Sequence, residues 1–260
     1  ERAADEGGRV PCEIWMAAGT YEISEISRLD TLRLRNGVAL LGGFAGTETD
    51  ATERDWEANA TIISGTGTAG FVYHVVTAVS TTDATLDGLY VERGVADGLD
   101  PRHQRGAGLY AQGAQLTVQH CIIRNNYAAL EGGGVLADAA PITIRHSWIF
   151  TNRSDVAGGG IYAYDSAMVL EHSTLMDNDS AQGGAVAAVG GGPHIDHVQF
   201  VGNSAFQGAG LYQHDPLMQG VHNTIFAGNF ADEGGGMYLG NMLFSVNTNV
   251  VLIGNMGLVR

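Results

Sequence analysis

Residues 158–181 read GGGIYAYDSAMVLEHSTLMDNDSA, and the same pattern recurs six times in the second half of the chain. Each copy begins with a glycine-rich segment that ends in an apolar residue. A histidine or asparagine follows, and an asparagine stands six residues after it. The last of these rows consists of Asn126, Asn152, Asn178, Asn203, Asn229 and Asn255. Successive members are 25 or 26 residues apart. Self-similarity at a fixed period is the signature of a solenoid.

Each copy reads as three short strands separated by turns. In the quoted copy, apolar runs at Ile161–Tyr164, Met168–Glu171 and Thr174–Met176 alternate with segments rich in Gly, Asp, Asn and Ser. Residues 177–180 are predicted to form a turn. Stacking of such units places each strand about 4.8 Å from its copy in the next unit. The predicted fold class is therefore all-β, a parallel β-helix solenoid of about nine or ten coils.

Two polar rows follow the repeat. Asparagines at one turn position predict a ladder in which each side-chain amide bonds to the next. The row six residues earlier consists of His120, His146, His172, His197, Asn223 and Asn249. Four imidazoles at ladder spacing raise the hypothesis of a metal site. Because asparagine replaces histidine in the last two copies, a turn hydrogen bond explains the row better, and we predict a structural role with no metal and no cofactor.

The whole chain, residues 1–260, is expected to be one β-helix domain. Residues 106–260 hold the six regular coils, and residues 1–94 continue the pattern with weaker periodicity. Residues 95–105 are predicted to be an inserted loop. Strand candidates in the first part include residues 31–35, 71–79 and 84–91. The sequence opens in mid-pattern, so it is expected to be a piece of a longer protein.

The charge of the chain limits its partners. There are 28 acidic and 13 basic residues, and the net charge is −15. An acidic surface disfavours phosphate backbones, so nucleic acid is not an expected partner. No apolar stretch approaches the roughly 20 residues of a membrane helix, so no membrane span is expected. Cys121 is predicted to be a buried free thiol, too far from Cys12 for a disulfide.

Two tetrapeptides of the repeat resemble a known group of proteins. Residues 183–186 (GGAV) and 200–203 (FVGN) look like the paired repeats of polymorphic outer membrane proteins. More broadly, they resemble secreted bacterial right-handed β-helix proteins of the pectin-lyase-like superfamily, and residues 14–21, 37–44 and 61–65 are similar to the opening coils of those proteins. The resemblance implies right-handed coiling and an extracellular or cell-surface location. Members of this group serve as adhesins, passenger domains, lyases and hydrolases.

One outward row is rich in tyrosine. The apolar residue after each glycine segment should point inward, and the residue after it should point outward. The candidate ligand-binding residues on this face are Tyr110, Tyr162, Tyr164, Tyr212, His214 and Tyr238. An exposed aromatic row would stack on the sugar rings of an extended glycan. Alternatively, tyrosine stands here because it favours strands and packs on its cross-strand neighbours.

A second outward row is apolar. Its clearest members are Ile122, Trp148, Phe150 and Ile225. A contiguous apolar patch marks an interface or a covered surface. A partner domain, a second copy of the chain or the inserted loop would each account for it.

The motifs of enzymes with this fold are incomplete here. Residues 194–197 (HIDH) resemble a stretch of pectate lyases, but no downstream Arg/Pro segment supplies the lyase base. The Asp-Asp pair and the Gly-His-Gly of galacturonases are absent. The carboxylates available for acid–base chemistry are Asp177, Asp179, Asp196, Asp215, Asp232 and Glu233. No catalytic residue is therefore assigned.

The sequence leaves three functions open. The leading interpretation is a non-catalytic, secreted or surface-displayed scaffold for adhesion or glycan binding, whose partner is an extracellular polysaccharide or a surface protein. The second is a polysaccharide lyase or glycoside hydrolase. The third is a structural module that stacks with other domains or copies through its apolar face.

Overall fold

The computed structural model describes residues 12–214, 220–241 and 247–257. Within these ranges the chain winds into a parallel β-helix, in which a complete coil contributes one strand to each of four sheets. The sheets are numbered 1 to 4 in the order in which a complete coil passes through them. Sheet 2 has nine strands, which gives a solenoid of nine coils. The prediction of an all-β parallel β-helix with about nine or ten coils is confirmed.

The strands of each sheet follow one another by one coil. Sheet 1 contains Cys12–Ala17, Val38–Phe44, Ala84–Asp87, Leu116–Gln119, Ile142–Arg145, Met168–Glu171, His194–Asp196 and Val221–His222. Sheet 2 contains Gly19–Glu22, Thr61–Ser64, Leu89–Glu92, Ile122–Arg124, Trp148–Phe150, Thr174–Met176, Gln199–Val201, Ile225–Ala227 and Val251–Ile253.

The other two sheets complete the coil. Sheet 3 contains Val95–Ala96, Tyr127–Ala128, Arg153–Ser154, Asp179–Gln182, Ser204–Gln207, Phe230–Glu233 and Met256–Gly257. Sheet 4 contains Leu32–Arg33, Val76–Val79, Leu109–Gln112, Val135–Asp138, Ile161–Tyr164, Val186–Val189, Leu211–His214 and Met237–Gly240. Two short 3-10 helices, Ala51–Glu53 and Pro101–Gln104, lie in loops between strands.

Sheet 3 was not predicted. Residues 177–180 were expected to turn, but Asp179–Gln182 is a strand that pairs in parallel with Ser204–Gln207. The backbone N–H of Asp179 also donates to the carbonyl of Asn152 in the preceding coil, at 3.0 Å. Strands of two to four mostly polar residues carry no apolar alternation, so the sequence pattern cannot distinguish them from turns.

Of residues 31–35 only Leu32–Arg33 is a strand, and three other boundaries in the first part of the chain also differ from the prediction. Residues 84–91 form two strands rather than one, because Gly88 (φ +71°) makes a sharp corner between sheets 1 and 2. Of residues 71–79 only Val76–Val79 is a strand, since the N–H of Val72 bonds to the carbonyl of Gly65 instead. The inserted loop begins after Val95–Ala96, which belongs to sheet 3.

The interior of the coil is filled by alternate strand residues. Phe200 and Phe226, one coil apart, stack face to face with ring centroids 4.5 Å apart, and both are fully buried. Cys121 is a buried free thiol whose pKa burial raises to about 12, while Cys12 is exposed and also free. No helix in the described part of the chain is long and apolar enough to span a membrane.

A ladder of side-chain amides closes the turn between sheets 2 and 3. Each asparagine donates from Nδ2 to Oδ1 of the next one, at 2.8–3.1 Å. The members are Asn126, Asn152, Asn178, Asn203, Asn229 and Asn255. Asn178 is typical: its Nδ2 also donates to the carbonyl of Ile149, and its Oδ1 also accepts from the N–H of Asn152. The ladder therefore satisfies buried backbone groups that the turn leaves unpaired.

Candidate functional site

A cleft of about 950 Å³ lies on the outer face of sheet 4, at the end nearest the N-terminus, and is partly open to solvent. The inserted loop forms one wall. The residues that line the cleft are Leu29, Thr31, Arg33, Leu34, Arg35, Asn36, His74, Thr77, Val79, Ser80, Thr81, Arg102, His103, Tyr110 and Gln112. None of these is acidic, in a chain that has 28 acidic residues. A volume of this size is typical of a small-molecule or oligomer site.

Two arginines line the cleft: Arg33 ends the strand Leu32–Arg33, and Arg35 follows two residues later. In the segment Leu32-Arg33-Leu34-Arg35, Leu34 is buried in the core, so the two arginines point outward and are exposed. Arg33 lies across the sheet from Thr77, and Thr77 lies across from Tyr110. The arginines thus continue the same outer row in which the sequence placed the tyrosines.

The inserted loop is held in place by Arg28 and by ring stacking. The Arg28 guanidinium donates to the carbonyls of Phe71 and Val95, each at 2.8 Å, and pairs with the carboxylate of Asp97. The guanidinium also lies 4.3 Å from the ring centroid of Tyr73. The ring of Tyr73 stacks on His103 of the loop, with centroids 4.6 Å apart. The wall of the cleft is therefore ordered before any ligand arrives.

The cleft carries positive charge. Arg102 is bound by Asp100 in two hydrogen bonds, from Nε at 3.1 Å and Nη2 at 2.6 Å, and this pair holds the pKa of Asp100 far below its usual range. Arg33 and Arg35 have no ion-pair partner within the described part of the chain. These two guanidiniums therefore line a concave surface that has no acidic side chain among its described lining residues, and they attract carboxylate, sulfate or phosphate groups there.

His74 forms part of the floor and carries no charge at neutral pH. Its Nδ1–H donates to the carbonyl of Gly106 at 3.0 Å, and its ring lies 4.9 Å from Tyr110 and 5.8 Å from His103. Burial lowers the pKa of His74 from 6.5 to about 4. His74 therefore adds no positive charge to the cleft at pH 7, whereas the arginines stay charged throughout the physiological range.

The tyrosine row is mostly covered, which corrects the prediction of an exposed aromatic row. Tyr110, Tyr162 and Tyr212 are only 6%, 8% and 8% exposed, and they form a satellite cluster with Leu136, Ala157 and Ala187. The reason is that the glycine turns lean over this face: a Cβ at Gly106 would lie 3.0 Å from Cδ2 of Tyr110.

The other members of the row differ in exposure. Tyr164 is 42% exposed, whereas His214 and Tyr238 are half-buried, and Tyr238 stacks on Tyr212 at 5.3 Å. Of all six residues, Tyr110 alone lines the cleft described above. The glycan-binding role of the row stays a prediction.

The histidine row forms a stack at the turn between sheets 1 and 2. Successive rings of His120, His146, His172 and His197 have centroids 5.4, 5.0 and 4.9 Å apart. All four have positive φ, as do Asn223 and Asn249 in the next two coils. Asn is tolerated in this backbone conformation, which accounts for the exchange of the two residue types. Within the described residues, no group of three or more His, Cys, Asp or Glu side chains is placed to hold a metal ion.

The apolar row lies on the outer face of sheet 2. Trp148 and Ile225 are 54% and 38% exposed, and Ile122 and Phe150 are partly exposed. The inserted loop, which packs beside sheet 4, contacts Arg28 and Tyr73 instead. A role of this face in binding a partner remains a prediction.

Three of the six candidate carboxylates, Asp179, Asp196 and Glu233, make local contacts. Asp196 bonds to Nδ1 of His197 at 2.9 Å and accepts from Asn223, and Glu233 accepts from Gln207. Asp179 lies 3.8 Å from Arg153. Asp215 lies outside the described residues.

Comparison with known proteins defines the class. The family model described as a right-handed β-helix region matches residues 62–231, and the chain belongs to this family. Among solved structures, a pectin methylesterase from Aspergillus niger is similar, with 14% sequence identity, a TM-score of 0.57, and coverage of 97% of this chain and 81% of that one. No curated protein matches the chain. At this identity the likeness shows the fold, so right-handed coiling and the pectin-lyase-like architecture are confirmed.

Sequence reasoning did not find the cleft residues Arg33, Arg35, Arg102, His74 and His103. The alternation of leucine and arginine over residues 32–35 was a readable signal that both arginines point outward. The two arginines lie beside the inserted loop because Arg33 pairs with Thr77, which is 44 residues later in the chain. No repeat in the sequence indicates this pairing.

Proposed function

We propose that this chain is a secreted or surface-displayed scaffold that binds an acidic glycan, with the cleft on sheet 4 as its binding site. The observation that carries the proposal is the acid-free, arginine-lined cleft in a chain of net charge −15. A polyanion is repelled by most of the surface and attracted to this concave region, where low-dielectric walls strengthen the field. The carbohydrate class is supported by the shared fold with a pectin methylesterase.

The shape of the site fits an extended ligand. Sheet 4 continues past the cleft, and Gln112, Asp138 and Tyr164 occupy one outward row in successive coils. The exposed ring of Tyr164 lies two strands beyond Gln112, or roughly 10 Å. A glycan held by the arginines could extend along this row and place a sugar on that ring.

A polysaccharide-active enzyme is the second candidate. The observation that favours it is Asp138, whose carboxylate accepts a hydrogen bond from Gln112 at the edge of the cleft, at 3.1 Å. A carboxylate beside bound sugar is the group that acid–base chemistry on a polysaccharide needs.

A glycan array that includes uronate-containing, sulfated and neutral polysaccharides tests the proposal, with product release measured on the same polymers. We expect saturable binding to acidic glycans, no products, and loss of binding in the double variant Arg33→Gln/Arg35→Gln. The control Arg145→Gln/Arg153→Gln removes the same charge from exposed positions on sheets 1 and 3 and should bind normally. Unsaturated or reducing-end products would establish the enzyme instead, and no binding to any acidic glycan would overturn the proposal.

A further inference from the structure

The four stacked imidazoles of His120, His146, His172 and His197, called the histidine ladder here, join four consecutive coils at one corner of the solenoid. Each ring is 4.9–5.4 Å from the next, and the middle pair is almost parallel, with 3° between the planes. At its first end, the indole ring of Trp56 lies 5.3 Å from His120. Neutral imidazoles gain from this stacking, whereas protonation of neighbours places like charges about 5 Å apart.

Carboxylates bind the two ends of the ladder but not its centre. Nδ1 of His120 is 2.9 Å from the buried carboxylate of Asp87, and Nδ1 of His197 is 2.9 Å from Asp196. Within the described residues, the rings of His146 and His172 have no hydrogen-bond partner. The centre therefore lacks a group that bonds directly to an imidazolium.

The other charged groups around the ladder do not remove this difference between its ends and its centre. Asp87 is already paired with Arg54, and His194 acts on Asp196 at the far end. Beside the centre, Arg145 opposes and Glu171 favours a positive charge on His146. Burial and the two neighbouring imidazoles lower the pKa of His146.

We propose that the histidine ladder is an acid-sensitive clasp: when neutral it holds its four coils together, and when its central rings gain protons it loosens them. The ladder lies at the corner between sheets 1 and 2, away from the cleft on sheet 4, and the proposal does not depend on what the cleft binds. Loosening would act on the bonds between coils at this corner, where the N–H of His146 donates to the carbonyl of Glu171 at 3.2 Å.

The chain supplies its own control substitution. Asn223 and Asn249 occupy the same turn position in the next two coils, with φ of 48° and 53° against 48° and 47° for His146 and His172. The variant His146→Asn/His172→Asn therefore keeps the turn and removes the two central titrating groups. Nδ2 of Asn249 also donates to Oδ1 of Asn223 at 2.8 Å, so paired asparagines can bond where the imidazoles stacked.

Thermal unfolding of the wild type and of this variant, measured at pH 7.5 and at pH 5, tests the clasp. Carboxylates contribute little to the change of stability over this pH interval. His74 is present in both proteins, so its contribution cancels in the comparison. We expect the acid-induced fall in Tm to be smaller in the variant than in the wild type, and the fall that remains is that of His74 and the other groups common to both proteins. An equal fall in both proteins would overturn the proposal.

Should the variant fail to fold, histidine ring NMR on the wild type decides the question. Coupled sites titrate over a wider range than independent ones, so we expect a Hill coefficient of about 0.6 for His146, which lies between two other imidazoles. In the single variant His172→Asn, His146 loses one of its two stacked neighbours, and its coefficient should rise toward 1. A coefficient of about 1 for His146 in the wild type would contradict the clasp.

Discussion

His103 of the inserted loop stacks on Tyr73 with ring centroids 4.6 Å apart and only 2° between the ring planes. Tyr73 is in turn covered on its other side by the guanidinium of Arg28. This layered contact fixes the loop against the solenoid and gives the cleft a rigid wall. A preformed wall lowers the entropy cost of binding, because the loop does not have to become ordered when the ligand binds.

Loosening this wall should weaken glycan binding without unfolding the solenoid. We expect Arg28→Ala to reduce affinity by about 10-fold, because the contacts to Phe71, Val95 and Asp97 are all lost. Hydrogen exchange of the Gly98 amide, which bonds to the carbonyl of His103, should accelerate in parallel. Arg153→Ala is the matched control, because it removes the same charge away from the cleft. An equal loss of affinity in both variants would show that net charge, and not the position of the loop, determines the affinity.

The stability of the fold should decrease on mild acidification because of His74. Its folded pKa is about 4 and its ordinary value is 6.5, so the unfolded chain binds the proton first as pH falls. The contribution of the neutral ring is complete above pH 6.5 and is lost progressively toward pH 4, up to about 3 kcal/mol.

Chemical denaturation across this pH range measures the effect of His74. In His74→Asn, the side-chain amide can still donate to Gly106, but no titrating ring remains, so the curve of stability against pH should be flatter. An unchanged slope would assign the acid sensitivity to other groups.

The asparagine ladder should be strongly stabilising. In Asn178→Ala, the buried partners in Asn152, Ile149 and Asn203 lose their hydrogen bonds, and we expect a loss of about 3–5 kcal/mol. Denaturant unfolding gives the number. Asn125→Gly, at the exposed neighbouring turn position in another coil, should change the free energy of unfolding by less than about 1 kcal/mol.

One turn residue is strained and can be improved. Thr151 has φ +55°, which is unfavourable for a β-branched residue, and the equivalent positions in the last three coils are Gly202, Gly228 and Gly254. We therefore expect Thr151→Gly to raise the free energy of unfolding by about 0.5–1 kcal/mol. The same change at Thr143, within a strand of sheet 1, should lower it by about 1 kcal/mol. Gains or losses of the same sign at both sites would refute the strain argument.

The repeat made the fold predictable because each coil must stack on its neighbours. The row from Asn126 to Asn255 and the inward residues such as Phe200 recur at one period, and period is a property that the sequence shows directly. Sheet 3 was missed because its strands are short and polar. The burial of Tyr110 and Tyr162 was missed because it depends on glycine turns that fold over the outer face of the sheet. The alternation of residues along one strand does not show whether another segment covers its outward side chains.

The cleft was beyond prediction for a different reason. It combines Arg33 from an early coil with Arg102 from the inserted loop, in the least periodic part of the chain. The loop position also depends on aromatic contacts between Tyr73 and His103, two residues that no motif connects. Contacts between residues that are distant in sequence and lie outside the repeat therefore determine the geometry of the cleft.

Selection of an acidic glycan by the arginines of the cleft is tested most directly by calorimetry with a matched pair of ligands. Oligogalacturonate and its fully methyl-esterified form have the same backbone and differ in charge. The account predicts that the charged form binds at least about 10-fold more tightly, that added salt weakens this binding, and that Arg33→Gln/Arg35→Gln removes the preference. Equal affinity for both forms, or a preference that survives in the double variant, would contradict it.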